Sequence, residues 1–368
     1  TASGGGIDTQ PESEAYLTSM TRCFEDAKVL PDSIQLFETH GSGISFEDNL
    51  EAIALNRFFK GKLEHCAIGS TKPIVGHTGA AAGMASIVKT ALSLHHEVVP
   101  PLANYSEPIE NVWNSDLFYL PHDPHHWLRN QAAGPRSACV GAMSLDGHCS
   151  HLLLESHERD SRADESLVQV NQKQRPLGLR EFGLFVCEDD TPQRLAQTLD
   201  ELQDHVKNHM AADHSSELAL ELAAFNWFQQ KGQHSHKKLA LTLTLKPSDN
   251  LEKMLHLVRQ KIFDKENKLP DTHPPLSFSN RPLGIKGSLA AVFPGSGNHY
   301  LGMGRDIGLQ WPEILTNMDQ DADYLKTQFA AHAYVPYRTS WGREWQASAE
   351  KHIVSDPLHT IFGQVMHG

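Results

Sequence analysis

The stretch Glu38-Thr39-His40-Gly41-Ser42-Gly43-Ile44, continuing to Asp48 and Glu51, decides the architecture. It follows a short β-compatible run, Ile34 to Phe37, and precedes Leu50 to Phe59, where apolar residues recur three and four apart. A strand that ends in closely spaced glycines and re-enters as a helix is the repeating unit of an α/β fold, because glycine adopts backbone angles closed to other residues. Upstream, Glu12 to Ala27 has helical spacing, and Pro31 and Asp32 break it. Downstream the unit repeats: Cys66 to Ser70 is a short strand, Gly76 marks a turn, and Gly79 to His95 is an Ala-rich helix.

Prolines 100, 101, 108, 121 and 124 make 98–135 a mostly extended connection with short strands. Ser137 to Met143 and His151 to Glu155 then form paired strands around the loop Ser144 to Ser150. From Ser156 to Pro176 the residues are charged and polar without a period, which predicts a linker. A compact module follows: strand Phe182–Val186, helix Pro192–His209, helix Leu218–Lys231, strand Lys238–Leu245 and helix Leu251–Phe263. A loop with Pro270, Pro274, Pro275 and Pro282 leads to a strand at Leu289–Phe293, which ends in another glycine-rich turn.

The 368 residues exceed a single typical core. We therefore divide the chain into 1–155, a linker 156–179, 180–288 and 289–368. The balance of 32 basic against 45 acidic residues, net −13, disfavours phosphate backbones and anionic lipid, so no nucleic-acid partner is expected. No apolar run approaches the roughly 20 residues of a membrane span. No basic and apolar leader opens the chain, so the expected compartment is the cytoplasm. The five cysteines lack metal-knuckle spacing and read as reduced thiols. The histidine groups at 122, 125 and 126 and at 234 and 236 have no Cys or carboxylate at coordinating spacing, so no metal site is expected.

His40 and His77 stand out because each follows a strand and lies beside glycines, where an imidazole projects into a cleft while the chain bends. Taken singly, a glycine-flanked histidine is more often a hydrogen-bonded turn residue than a catalyst. The two motifs together say more. The stretch from Glu38 resembles the ketosynthase pattern E-A-H-G-T-G-T-x-x-G-D-P-x-E. The stretch Gly69-Ser70-Thr71-Lys72-Pro73-Ile74-Val75-Gly76-His77, with Ala80-Ala81-Ala82-Gly83, resembles the later pattern G-S-x-K-x-x-x-G-H-x-x-A-A-A-G in the same order and spacing.

The resemblance implies that 1–155 is the C-terminal half of a thiolase-like (ketosynthase) fold of the α/β class. It implies that 180–288 is a small α/β connecting domain, on the weak motif Ser235-His236-Lys237-Lys238-Leu239-Ala240, and that 289–368 is the start of an acyltransferase α/β domain. It assigns His40 and His77 to decarboxylation of a malonyl thioester and to stabilisation of the enolate and oxyanion. Lys72 and Glu38 become supporting residues, and Ser42 and Gly43 part of the pantetheine channel. The run Val292-Phe293-Pro294-Gly295-Ser296-Gly297-Asn298-His299-Tyr300-Leu301-Gly302-Met303-Gly304 resembles the acyltransferase opening F-P-G-Q-G-S-Q-x-x-G-M-G. Gly295, Ser296 and Gly297 would there form an oxyanion turn, although such a turn alone is also a plain strand-to-helix connection.

Phosphopantetheine enters as the arm of an acyl carrier protein rather than as a tightly bound cofactor. Acyl-CoA and malonyl-CoA are the implied small-molecule partners, and a homodimer or a partner ketosynthase subunit is the implied assembly. The P-G-S-G-N-H form resembles polyunsaturated fatty acid synthase subunits more than modular polyketide synthases.

Several positions depart from the pattern. Ser42 and Ile44 replace threonines, Glu47 a glycine and Asn49 a proline, while Ser144-Leu145-Asp146-Gly147-His148-Cys149-Ser150-His151 stands where the family has G-F-G-G-T-N-A-H. No cysteine lies in the family's T-A-C-S-S context and no serine in a G-x-S-x-G elbow, so neither nucleophile is supplied here. These departures keep open a second reading, a chain-length-factor-like scaffold paired with an active ketosynthase. Residues 1–155 expressed alone are expected to expose apolar sheet surface and to be poorly soluble. A monodisperse, cooperatively melting preparation of that segment contradicts the expectation.

Overall fold

A computed structural model describes residues 2–4, 12–62, 66–105, 117–121, 124–157, 182–211, 216–231, 237–262, 276–283, 287–288, 290, 305–325 and 351. The chain divides into two compact units, Thr1–Gly178 with Val292–Gly368, and Leu179–Ala291.

The first unit is built on six strands: β1 (Ala2–Gly4), β2 (Ile34–Glu38), β3 (Cys66–Gly69), β5 (Phe118–Tyr119), β7 (Ser137–Met143) and β8 (Cys149–Glu155). Their order is β1-β8-β7-β2-β3-β5. The pairs β7–β2, β2–β3 and β3–β5 are parallel, and β8 runs antiparallel to both β7 and β1. Two further short strands, β4 (Val98–Val99) and β6 (His125–His126), pair with each other.

One face of the sheet is covered by α1 (Ser13–Ala27) and α2 (Ser45–Phe59). Tyr16, Met20, Phe24, Leu55, Phe58 and Phe59 there pack on Ile34, Phe37, Ile68 and Cys139. The other face carries Leu36, Ala67 and Ala138 against Leu94, Val99 and Trp127, with Leu94 supplied by α4 (Ala82–His96). Helices on both faces explain why β2, β3 and β7 are apolar nearly throughout rather than alternating. Exposed apolar side chains lie on these helices, at Phe46 and Ile53 of α2 and at Met84, Val88 and Leu92 of α4, and in loops at Leu30, Ile44 and Leu145. No described helix is long and apolar enough to cross a membrane.

The sequence fixes most of these boundaries within a turn. The main departures have physical causes. Helix α2 starts at Ser45, five residues before the periodic apolar run, because its first turn is polar and carries Glu47 and Asp48. Lys72–Val75 forms a short helix, α3, where no helix is expected.

The second unit is an antiparallel sheet of β9 (Gly183–Asp189), β10 (Leu239–Leu245) and β11 (Leu276–Ser279), ordered β11-β10-β9. It accompanies α5 (Pro192–Met210), α6 (Ser216–Lys231) and α7 (Leu251–Ile262). Thr191 caps α5 by accepting from the Arg194 amide at 3.3 Å, with Pro192 in the first turn. Leu195, Leu199, Leu202 and Val206 then bury one face against Phe185, Leu241 and Leu243. Strand β11 lies in a stretch the prolines mark as loop; cross-strand pairing with Leu241 and Leu243 holds Leu276–Ser279 extended despite its short length.

Helices α8 (Arg305–Gln310) and α9 (Pro312–Asp321) group with the first unit, although the sequence sets 289–368 apart. Asp319 accepts from Arg136 Nη2 at 2.7 Å and Arg129 Nε at 3.1 Å, and Leu315 and Leu325 pack with Leu128. Two buried guanidiniums need a carboxylate nearby, and Asp319 provides it. Of the strand expected at Leu289–Phe293 only Ala290 is described, outside any strand.

Gly141 of β7 admits the α1 side chain: a Cβ there would lie 2.2 Å from the Tyr16 hydroxyl oxygen and 3.3 Å from Phe37. Gly141→Ala is expected to destabilise the first unit by about 1–3 kcal/mol, the usual range for overpacking. In a Tyr16→Phe background the nearest ring atom is 3.2 Å away. The Ala substitution should therefore cost measurably less there. Equal costs in both backgrounds, by denaturant unfolding, would remove Tyr16 as the cause.

Candidate active site

The site forms where β2 ends. Gly41 has φ +48°, and a Cβ on it would meet Ser70 Oγ at 2.9 Å and Thr39 Oγ1 at 3.0 Å, so both conformation and space require glycine. The turn is fixed by the Glu51 carboxylate of α2. It accepts from the His40 amide at 2.8 Å, the Gly41 amide at 2.9 Å and the Tyr16 hydroxyl at 2.5 Å. Glu51 is buried, and burial raises its pKa against the pull of these donors.

The His40 ring is 5% exposed. Its Nδ1 accepts from the Met143 amide of β7 at 3.2 Å. A backbone amide only donates, so Nδ1 carries no proton and the neutral ring holds its proton on Nε2. Lys72 approaches from the same side, with Nζ 3.4 Å from Nδ1 and donating to the His40 carbonyl oxygen. Burial first, and then the Lys72 charge, lower the His40 pKa to about 4; the Glu47 carboxylate opposes them. Burial also lowers the Lys72 pKa.

His77 follows α3, and its Nδ1 accepts from the Gly79 amide at 3.1 Å, which places the proton of the neutral ring on Nε2 as well. The two imidazoles meet edge to face, with centroids 5.6 Å apart and planes at 78°. Both line a cleft of about 720 Å³ together with Ile44, Glu47, Lys72 and the 144–148 turn. The cleft therefore holds two Nε2–H donors fixed from behind by backbone amides.

The structure brings His40, His77 and Lys72 together at one cleft. Glu38 lies outside the cleft, buried, paired with Lys89 of α4 at 2.7 Å, and pushed upward in pKa by burial. Ser42 and Gly43 shape the turn rather than the lining: Asp48 Oδ1 accepts from the Gly43 amide at 3.3 Å, and Ser42 Oγ accepts from the Ile44 amide at 3.2 Å. Their neighbour Ile44 faces the cleft instead.

In the β7–β8 turn the side chains gained over glycine are used internally, with Ser144 Oγ donating to Asp146 and accepting from the His148 amide. His151 points away from the cleft. It bonds Ser19 through Nδ1 at 3.0 Å, packs edge-on against Tyr16, and is lowered by burial to a pKa of about 3. His125 pairs with Tyr119 at 3.1 Å. All five cysteines are buried, and none lines the cleft. Gly295, Ser296 and Gly297 lie outside the described residues.

Sequence reasoning missed two contributors. Glu47 stands with Oε2 3.7 Å from His40 Nε2, and Tyr16 supports Glu51 from α1. Glu47 was visible as a departure from the family pattern. Tyr16 carried no signal beyond membership of an amphipathic helix.

Residues 2–106 match the family described as "Beta-ketoacyl synthase, C-terminal domain". Over 326 residues, 87% of the chain, the sequence is 24% identical to the PKS-NRPS hybrid synthetase acdB of Aspergillus candidus. Over 152 residues, 40% of the chain, it is 36% identical to the highly reducing polyketide synthase sorA of Penicillium rubens. It spans only 12% and 6% of those two proteins. The ketosynthase from module 6 of the bacillaene synthase of Bacillus subtilis 168 is 22% identical, with a TM-score of 0.40 over 76% of this chain and 44% of that one. With that match over residues 2–106, the chain is similar to the ketosynthase region of polyketide synthases.

Proposed function

We propose that the chain is the ketosynthase portion of a multifunctional synthase subunit and that its cleft binds an acyl thioester by the carbonyl oxygen. The observation that carries this reading is the pair of Nε2–H donors on one cleft, each with Nδ1 held by a backbone amide. In decarboxylative Claisen condensation, loss of carbon dioxide from a malonyl thioester leaves an enolate, whose oxygen takes the charge while its carbon attacks a second acyl thioester and expels a thiolate. Preorganised neutral donors suit that oxygen, because they gain strength as its charge develops and need no reorientation. Burial keeps His40 neutral, so it donates without delivering a proton that would quench the enolate.

An acyl carrier protein bearing phosphopantetheine, and a homodimer or partner ketosynthase, complete the reading, with acyl loading by an acyltransferase segment from residue 289. The product belongs to polyketide or polyunsaturated fatty acid synthesis. A specific observation also favours the scaffold alternative: Ile44 and Glu47, which stand where the family pattern has threonine and glycine, both line the cleft.

Peptide mapping of the intact subunit after incubation with an acyl-CoA separates the two readings. Acylation of a cysteine other than the five of this chain, with His40→Gln and His77→Gln each slowing condensation about 10²–10³-fold, supports catalysis. Acylation confined to a serine supports the scaffold.

The tautomer assignment has its own test. A folded pKa near 4 against the ordinary value of about 6.5 means that the unfolded chain binds more protons between those limits. The stability attached to neutral His40 is therefore complete above about pH 6.5 and is lost as pH falls toward 4. In ¹⁵N-histidine spectra, the resonance that disappears in His40→Gln should be that of an Nε2–H tautomer from pH 8 to pH 5. A midpoint above 6 or an Nδ1–H tautomer would contradict the geometry.

A further inference from the structure

We propose that Lys89 is a positioning residue for the cleft: by holding the Glu38 carboxylate from α4, it leaves Lys72 beside His40. This placement of Lys72 holds with or without a ligand; only its bearing on condensation rests on the thioester reading.

Glu38 ends β2, two residues before His40, and is fully buried. Its Oε2 accepts from Lys89 Nζ at 2.7 Å. The fit is close: a Cβ on Gly69 would lie 2.4 Å from that oxygen and 3.1 Å from Lys89 Nζ, so the pair fills the space that glycine leaves in β3. A buried carboxylate needs such a partner, because burial penalises its charge. Burial raises the Glu38 pKa, and Lys89 is the chief opposing influence. The Thr71 amide also faces the carboxyl, yet the buried Oε1 has no hydrogen-bond partner among the described residues.

That open oxygen matters because a second cation is near. Lys72 follows Gly69, the register partner of Glu38, by three residues, and its charge acts on Glu38. Four carboxyl groups act on Lys72 in turn: Glu51, Glu38, Asp48 and Glu47. Glu51 is filled by the Tyr16 hydroxyl and the amides of His40 and Gly41. Asp48 accepts from the Gly43 amide and the Ser42 hydroxyl, and Glu47 stands at the Nε2 side of His40. Of the four, Glu38 alone keeps a buried oxygen without a partner.

Lys72 nevertheless donates to the His40 carbonyl oxygen, with Nζ 3.4 Å from Nδ1. Lys89 accounts for the choice. With one ammonium already on Glu38, a second gains little there and meets like charge. Without Lys89 the uncompensated carboxylate draws Lys72 across, and His40 loses the positive charge that opposes its own protonation. On the thioester reading, a His40 that takes up a proton more readily is one that quenches the enolate.

The test reads the protonation midpoint of His40 in ¹⁵N-histidine spectra of the full chain, the resonance being the one lost in His40→Gln. Lys89→Met should raise that midpoint from about 4 by at least about one pH unit, roughly tenfold in proton affinity. Glu38→Gln combined with Lys89→Met removes the carboxylate as well and should bring the midpoint back to within about 0.3 unit of wild type. In a Lys72→Met background, where no lysine can leave His40, Lys89→Met should add less than about a third of its own shift. A midpoint unmoved by Lys89→Met, a shift that survives Glu38→Gln, or an equal shift with and without Lys72 overturns the inference. Lys89→Gln, which gives Glu38 a neutral donor, supplies the same comparisons should Lys89→Met fail to fold.

Discussion

The buried Glu51 carboxylate is the interaction on which the site depends. An ionised carboxylate out of water costs several kcal/mol unless donors replace its hydration. Here the Tyr16 hydroxyl and the amides of His40 and Gly41 do so. One group thereby joins α1, α2 and the turn after β2, which are separate in sequence. The arrangement further requires that β7 pass close beneath Tyr16, which the absence of a side chain at Gly141 permits. Position and orientation of His40 are thus set by the packing of the whole helical layer rather than by the loop itself.

Placing a cation beside an imidazole has two consequences here. Lys72 disfavours a second positive charge on His40, and it directs its hydrogen to the carbonyl oxygen of the same residue. The ring is held as a neutral donor by a backbone amide, a lysine and desolvation acting in the same sense. His77 reaches the same tautomer by a simpler route, through the amide two residues on, while standing exposed at the cleft. One donor is deeply fixed and the other locally fixed.

Much of this was legible in the sequence because its signals are local. Strand, glycine pair and helix follow one another within the single stretch 34–59, and the β7–β8 hairpin and the helices of the second unit are marked by periodicity and caps. What the sequence leaves unread is long-range. The partnership of Tyr16 with Glu51 spans 35 residues, the Met143 amide reaches His40 across 103, and Asp319 meets Arg136 across 183. None of these has a periodic signature. A backbone donor such as that of Met143 is invisible in principle, since every residue but proline carries one. The resemblance identifies His40 and His77 but places Ser42 and Gly43 in the channel, where the structure uses them to seat the turn and turns Ile44 inward.

The same division explains how this cleft can keep its donors while its lining changes. His40 and His77 are oriented by main-chain amides, that of Met143, which any residue but proline could supply, and that of Gly79, where φ +59° favours glycine. Glu51 and Gly41 lie outside the lining, so the turn persists whatever faces the ligand. Positions 44, 47, 145, 146 and 148 line the cleft, with the Glu47 carboxylate 3.7 Å from His40 Nε2. Replacement of glycine and threonine by Glu47 and Ile44 therefore alters the charge and shape of the cleft without displacing the two Nε2–H groups. In this part of the fold, the groups that orient the two imidazoles and the side chains that line the rest of the cleft are different, and the second set can diverge while the first is held in place.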